Sequence, residues 1–138
     1  MEDFLSVKRS TERDFANLLD RIAAAWSEDD AQSATECFAA NAIYSAPPSP
    51  KVRRGRRELL EFFGGPGGRA APMQLQWHHR AFNFRTQVGF GEYTFEHTDY
   101  RAHGVVVIRV KGGLVANWRE YEVESDRAWP DFNSPNDF

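Results

Sequence analysis

The feature that most constrains this chain is a single change in its hydrophobic period, from helix-like to strand-like, near residue 74. Ahead of it, Phe15, Leu18, Leu19, Ile22 and Ala25, with Trp26 beyond, recur at three- and four-residue spacing, which predicts an amphipathic helix over 11–26. Ser10 or Thr11 is placed to cap its start. Behind the change, apolar and polar residues alternate through Gln74 to Phe84, Val88 to Thr98, Gly104 to Lys111 and Leu114 to Val123. Helices first and long antiparallel strands second predict an α+β fold with the helices packed on one face of the sheet.

Shorter elements fill the gap between the two regimes. SEDDAQ at 27–32 is turn-like, and Asp29 or Asp30 can cap a short helix from Ala31 to Phe38. Ala42 to Ala46 reads as a short strand, stopped by Pro47, Pro48 and Pro50. RGRRELLEFFGG opens with a turn glycine, forms a helix carrying Leu59, Leu60, Phe62 and Phe63, and ends on Gly64 and Gly65, after which PGGRAAP is a flexible loop. RTQ and KGG link antiparallel neighbours, with Gly112-Gly113 a strong hairpin signal. Long strands twist and curl, so the expected shape is a cone whose concave face lines a cavity.

Composition limits what such a fold does. With 41% hydrophobic residues in 138, the chain can build one core, and one domain is expected, with its body at about 11–124 and a tail at 125–138. Eleven Phe and four Trp either fill the interior or line a pocket. A net charge of −3 argues against a general nucleic-acid or membrane surface. The basic run KVRRGRR is local and reads as a solvated loop, with an anion site as the alternative. A single cysteine, Cys37, allows no internal disulfide and fits a buried, inert thiol in a reducing compartment. His78 and His79 point to opposite faces of a strand and cannot chelate one metal together, so neither metal nor cofactor is expected. Gly64 to Gly68 lacks the Lys-Ser/Thr of a phosphate loop. The N-terminus has no signal-peptide core and no window reaches eighteen apolar residues, so the expected location is the cytoplasm. The tail holds Trp129, Phe132 and Phe138 among turn formers, suited to covering an apolar surface or packing on a partner chain.

The order of elements, with AANAIYSAPPSP, RGRRELLEFF and the final hairpin VKGGLVANWREYE, resembles the SnoaL-like branch of the nuclear transport factor 2-like superfamily, over roughly Leu18 to Glu124. The resemblance implies a cone-shaped α+β barrel of cystatin-like architecture, commonly a homodimer through the outer sheet face. Such folds serve isomerases, epoxide hydrolases, polyketide cyclases, dehydratases and proteins without catalysis. In limonene epoxide hydrolases and polyketide cyclases the last strand carries a pocket-facing acid at the position Glu120 matches. Strand alternation then turns Trp118 and Glu122 inward as well, Glu122 nearer the mouth. The departures are equally specific. The Tyr-x-Asn of the epoxide hydrolases reads Tyr44-Ser45-Ala46, and their Arg-x-Asp falls on Tyr93-Thr94-Phe95, or on Thr94-Phe95-Glu96 after a one-residue shift. The ketosteroid isomerase base falls on Ala46 and its oxyanion acid near Val106, neither of which transfers a proton.

What remains is a carboxylate among rings, whose charged form burial disfavours. Glu120 is the expected acid/base, with Tyr44 donating to a substrate oxygen and His97 a second proton carrier. Trp118, Glu122, Trp26, Phe62, Phe63, Tyr93, Phe95, Val106 and Ile108 are expected to line the pocket. Plainer roles compete: a cross-strand ion pair of Glu120 with Arg109, a surface histidine at 97, core packing for Tyr44 and Trp26. The expectation is a cofactor-independent isomerase, dehydratase, cyclase or hydrolase acting on a small apolar oxygenated molecule. The alternative is a non-catalytic module that binds a hydrophobic ligand or a protein partner.

Overall fold

The computed structural model describes residues 9–64 and 73–138. PGGRAAP and the glycines at 65, 67 and 68 fall outside the described residues. Helix α1 (Glu12–Ser27) begins at a capping box, in which Thr11 Oγ1 accepts from the Asp14 N–H at 3.1 Å and Asp14 Oδ2 accepts from the Thr11 N–H at 2.8 Å. Its buried stripe is Phe15, Leu18, Leu19, Ile22, Ala25 and Trp26. Each large apolar side chain so buried contributes about 1.5–3 kcal/mol. Helix α2 (Ala31–Thr35) is capped by Asp30 and is shorter than predicted, because Phe38 already pairs with Val115 and starts β1 (Phe38–Ser45). The Ala-rich FAANA carries no clear alternation, which hides the first half of that strand in the sequence.

KVRRGRR is not a solvated loop. Val52–Arg54 forms edge strand β2, antiparallel to β1, and helix α3 (Gly55–Phe62) follows directly. Two of its four arginines are used locally: Arg53 lies 3.7 Å over the Phe62 ring centre, and Arg56 Nε donates to the Phe38 carbonyl at 2.8 Å.

The remaining strands are β3 (Gln74–Asn83), β4 (Val88–His97), β5 (Tyr100–Lys111) and β6 (Leu114–Glu124). β5 starts at Tyr100 rather than Gly104, since the turn at Thr98-Asp99 is tight enough for His97 to pair with Tyr100. In the β5–β6 turn, Gly112 and Gly113 take φ of 62° and 82°, where a side chain would be strained. The sheet order is β2-β1-β6-β5-β4-β3, with β1 parallel to β6 and every other pair antiparallel. The sheet curls without closing into a barrel, leaving β2 and β3 as its edges.

Helix α1 packs on the concave face, where Phe15 stacks on Phe82 with centroids 4.7 Å apart. Trp77 Nε1 donates to the Leu19 carbonyl at 3.0 Å and ties the same helix to β3.

The convex face is treated differently, and a bulge between Trp77 and His79 turns both His78 and His79 onto it, where simple alternation predicts opposite faces. Helix α4 (Trp129–Phe132) and the turn Ser134–Asn136 lay the tail on it, with Trp129 stacked 3.9 Å from His78, Phe132 4.2 Å from His103 and Phe138 5.0 Å from His79. Beneath the rings, His103 Nε2 lies 2.8 Å from the Arg127 carbonyl, which only accepts, so that nitrogen carries the proton. In the neutral state Thr94 then donates to His103 Nδ1 at 2.9 Å and accepts from His78 Nε2 at 2.7 Å. Trp129, Phe132 and Phe138 thus cover part of the face expected to pair with a second copy. Cys37 is buried, and that burial pushes its thiol upward, away from reactivity. Among the described residues no helix is long and apolar enough to cross a membrane.

Candidate active site

The inner rows of the sheet place the site. Tyr44 on β1 registers with Trp118 on β6, Glu120 lies opposite Val106, and Glu122 lies opposite Gly104, which in turn faces Tyr93. Of these, Tyr44, Trp118, Glu120, Glu122 and Tyr93 wall a cavity of about 260 Å³ on the concave face. At its base Tyr44 stacks on Trp118, with centroids 5.4 Å apart and planes 8° from parallel. Trp26 and Phe63 pack around this pair, the indole N–H of Trp26 buried without an acceptor among the described residues.

Glu120 stands on that aromatic floor. Its Oε1 accepts from Trp118 Nε1 at 2.7 Å and from Tyr44 Oη at 2.8 Å, so two bonds on one oxygen fix the orientation of the carboxyl. Burial raises its pKa. The Trp118 bond opposes that, the charge of Glu122 adds to it, the Tyr44 bond opposes it, and sharing a proton with Glu122 raises it further; the result is about 7. Glu122 accepts from Tyr93 Oη at 2.8 Å and from Tyr100 Oη at 2.6 Å. All three phenols are pushed up, chiefly by burial, and remain protonated donors around neutrality.

Gly104 makes the upper pair possible. A Cβ there would lie 2.7 Å from Glu122 Cβ and 2.9 Å from Tyr93 Oη, so a hydrogen is what the Tyr93–Glu122 bond can pass over.

Of the residues singled out in the sequence, Glu120, Tyr44, His97, Trp118, Glu122, Trp26, Phe62, Phe63, Tyr93 and Phe95 all line the cavity. Val106 and Ile108 do not. They share its face, opposite Glu120 and Trp118, but are short aliphatic chains packed wholly into the core. Arg109 bonds Asn117 Oδ1 at 2.8 Å, so the cross-strand ion pair with Glu120 does not form. On β4, Tyr93 and Phe95 face the cavity while Thr94 and Glu96 face out, Glu96 bonded to Arg101 at 2.8 Å. Sequence reasoning missed Met73, Leu75 and Tyr100. Leu75 shares its face with Trp77 at period two and was there to be read; Tyr100 follows a turn without glycine and carried no such signal.

The sequence model of the SnoaL-like domain matches residues 19–118, and the chain belongs to that family. No curated protein matches the sequence. Among solved structures, an NTF-2 like protein of unknown function from Burkholderia xenovorans LB400 is 18% identical, with TM-score 0.69 over 90% of this chain and 93% of that one. An LEH-like epoxide hydrolase of M. tuberculosis is 14% identical, with TM-score 0.65 over 81% and 84%. The epoxide hydrolase/cyclase-like enzyme SalBIII, of pyran ring formation in polyether salinomycin, is 19% identical, with TM-score 0.67 over 80% and 92%. At these identities the likeness establishes a nuclear transport factor 2-like fold.

Proposed function

We propose that this protein is a cofactor-independent acid/base enzyme that moves a proton on a small, largely apolar oxygenated substrate, by isomerisation, dehydration or cyclisation. The observation that carries this reading is Glu120: a carboxyl deep in a ring-lined cavity, held by Trp118 and Tyr44, with a pKa near neutrality. Protonated, Glu120 donates to a substrate carbonyl, epoxide or hydroxyl oxygen. The Trp118 and Tyr44 donors then stabilise the carboxylate that this leaves. Glu122, oriented by Tyr93 and Tyr100, takes the proton from the other end of the substrate, so two carboxyls split the acid and base roles. Tyr44 spends its hydroxyl on Glu120, which makes it a positioning residue for the acid. His97, at the end of β4, lines the same cavity as a second proton carrier.

The likeness to an LEH-like epoxide hydrolase and to the epoxide hydrolase/cyclase-like SalBIII supports chemistry at a substrate oxygen on this fold. Family-type epoxide hydrolysis is not supported, since β4 offers Tyr93 and Phe95 to the cavity in place of an Arg-x-Asp pair. A second reading, a binding module without turnover, draws on Glu122, whose two oxygens are both taken by tyrosines as in a purely structural carboxylate.

A carboxyl-carbon NMR titration, assigned with Glu120→Gln, tests the proposal. The expected midpoint lies near 7. A midpoint at or below the unperturbed value of about 4.3 would overturn the acid and leave the binding module.

A further inference from the structure

We infer that the cavity is built for a ligand bearing a positive charge, a substituted ammonium on an apolar body. This rests on the reading of the cavity as the ligand site and goes beyond it in naming the charge. The two carboxyls that line it, Glu120 and Glu122, receive phenol and indole hydrogens, which orient a carboxylate without neutralising it. The pair shares one proton, and the negative charge it keeps meets no Lys or Arg among the described residues that line the cavity. Ion pairs form elsewhere, at His79–Glu92, Arg80–Asp20 and Arg101–Glu96. No Lys or Arg lines the cavity among the described residues, and His97 is its one basic side chain. The other walls are mainly rings, whose faces attract an ammonium. Phe62 already takes the Arg53 guanidinium in this way, from the edge strand.

The approach has the same sign. Tyr100 lines both the cavity and an adjoining surface notch of about 350 Å³, whose walls carry Glu96, Asp99, Glu124 and Asp126. Against them stands Arg101, already bonded to Glu96. Such a field draws a cation toward Tyr100, which the notch shares with the cavity, and repels an anion. A neutral substrate uses the rings alone; an ammonium uses the rings, the buried carboxylates and the field together.

The test is a tryptophan-fluorescence titration of the full chain at pH 8 with benzyltrimethylammonium, its neutral carbon isostere neopentylbenzene, and phenylacetate. The ammonium is expected to bind at least about tenfold tighter than the isostere, with phenylacetate weakest. In Glu122→Gln the preference of the ammonium over its isostere should fall below about threefold. Equal binding of the two isosteres, tighter binding of phenylacetate, or no binding of any at millimolar concentration overturns the inference. The isostere comparison on the unaltered chain decides the matter even if the variant does not fold. Because the readout is binding, the two ideas fail separately. Discrimination without turnover keeps the charge and loses the enzyme; Glu120-dependent turnover of a neutral ketone with equal isostere binding does the reverse.

Discussion

Strands β3 to β6 carry a polar cluster on each face, and the two clusters end differently. On the convex side, His78, Thr94 and His103 form a chain that terminates on the Arg127 carbonyl and is roofed by Trp129 and Phe132. Each partner in that chain has a role within the protein. On the concave side, Trp118, Tyr44, Tyr93 and Tyr100 donate to two carboxyls that share a cavity wall with His97 and, among the described residues, with no Lys or Arg. Similar residue types are closed off in one place and open to a ligand in the other. What separates a structural polar network from a candidate site here is whether the described residues supply a lid.

Glu120→Gln breaks the comparison most strongly. Turnover is expected to fall by about 100-fold or more, since a positioned acid contributes on that scale, and initial rates against a panel of ketones, epoxides and enols measure it. Stability should move the other way. A carboxyl whose folded pKa is raised from 4.5 to about 7 stabilises the fold fully below pH 4.5 and loses that contribution as pH rises through 7. Glu120→Gln should therefore gain on the parent by roughly 2 kcal/mol at pH 8.5 and by little at pH 4.5, read from urea midpoints.

Trp129→Ala strips the roof from the closed cluster. It should cost about 1–3 kcal/mol in urea unfolding and leave the Glu120 titration midpoint in place. Tyr44→Phe acts on the open cluster alone. It removes a hydrogen bond that favours the ionised form, so the Glu120 midpoint should rise further and turnover at pH 7 fall roughly tenfold.

The smallest effect belongs to His78, whose pKa is lowered by burial, with Glu92 opposing and His103 and His79 adding. A lowered histidine stabilises the fold above its unfolded value of 6.5 and loses that contribution as pH falls through the folded pKa. The loss, below about 1 kcal/mol after solvent screening, should disappear in His78→Gln, whose amide nitrogen can still reach Thr94.

The helix stripe, the hairpin glycines and the alternation of β6 were legible because each follows a local rule. The inward turn of Trp118, Glu120 and Glu122 needed the family resemblance as well, since alternation names two faces without saying which is concave. Three things lay beyond local rules. β2 was hidden because three residues, Val52–Arg54, are too few to show a period. Tyr100 was missed because a turn with Thr98 at φ 53° has no glycine to announce it. The division of labour between Tyr44 and Glu120 depends on a bond across the parallel β1–β6 pair, which no sequence spacing encodes.

That bond also bears on when the site comes into being. Tyr44 and Glu120 are 76 residues apart, whereas β3 to β6 each pair with the strand just before or after them. Short loops close early and long ones late, so the meander can form while β1 still waits for the last strand to be made. Acid and holder meet only at the final pairing. A nascent chain that has completed most of its sheet still lacks the Tyr44–Glu120 bond, so the proton chemistry proposed above would arrive in one step at the end of folding.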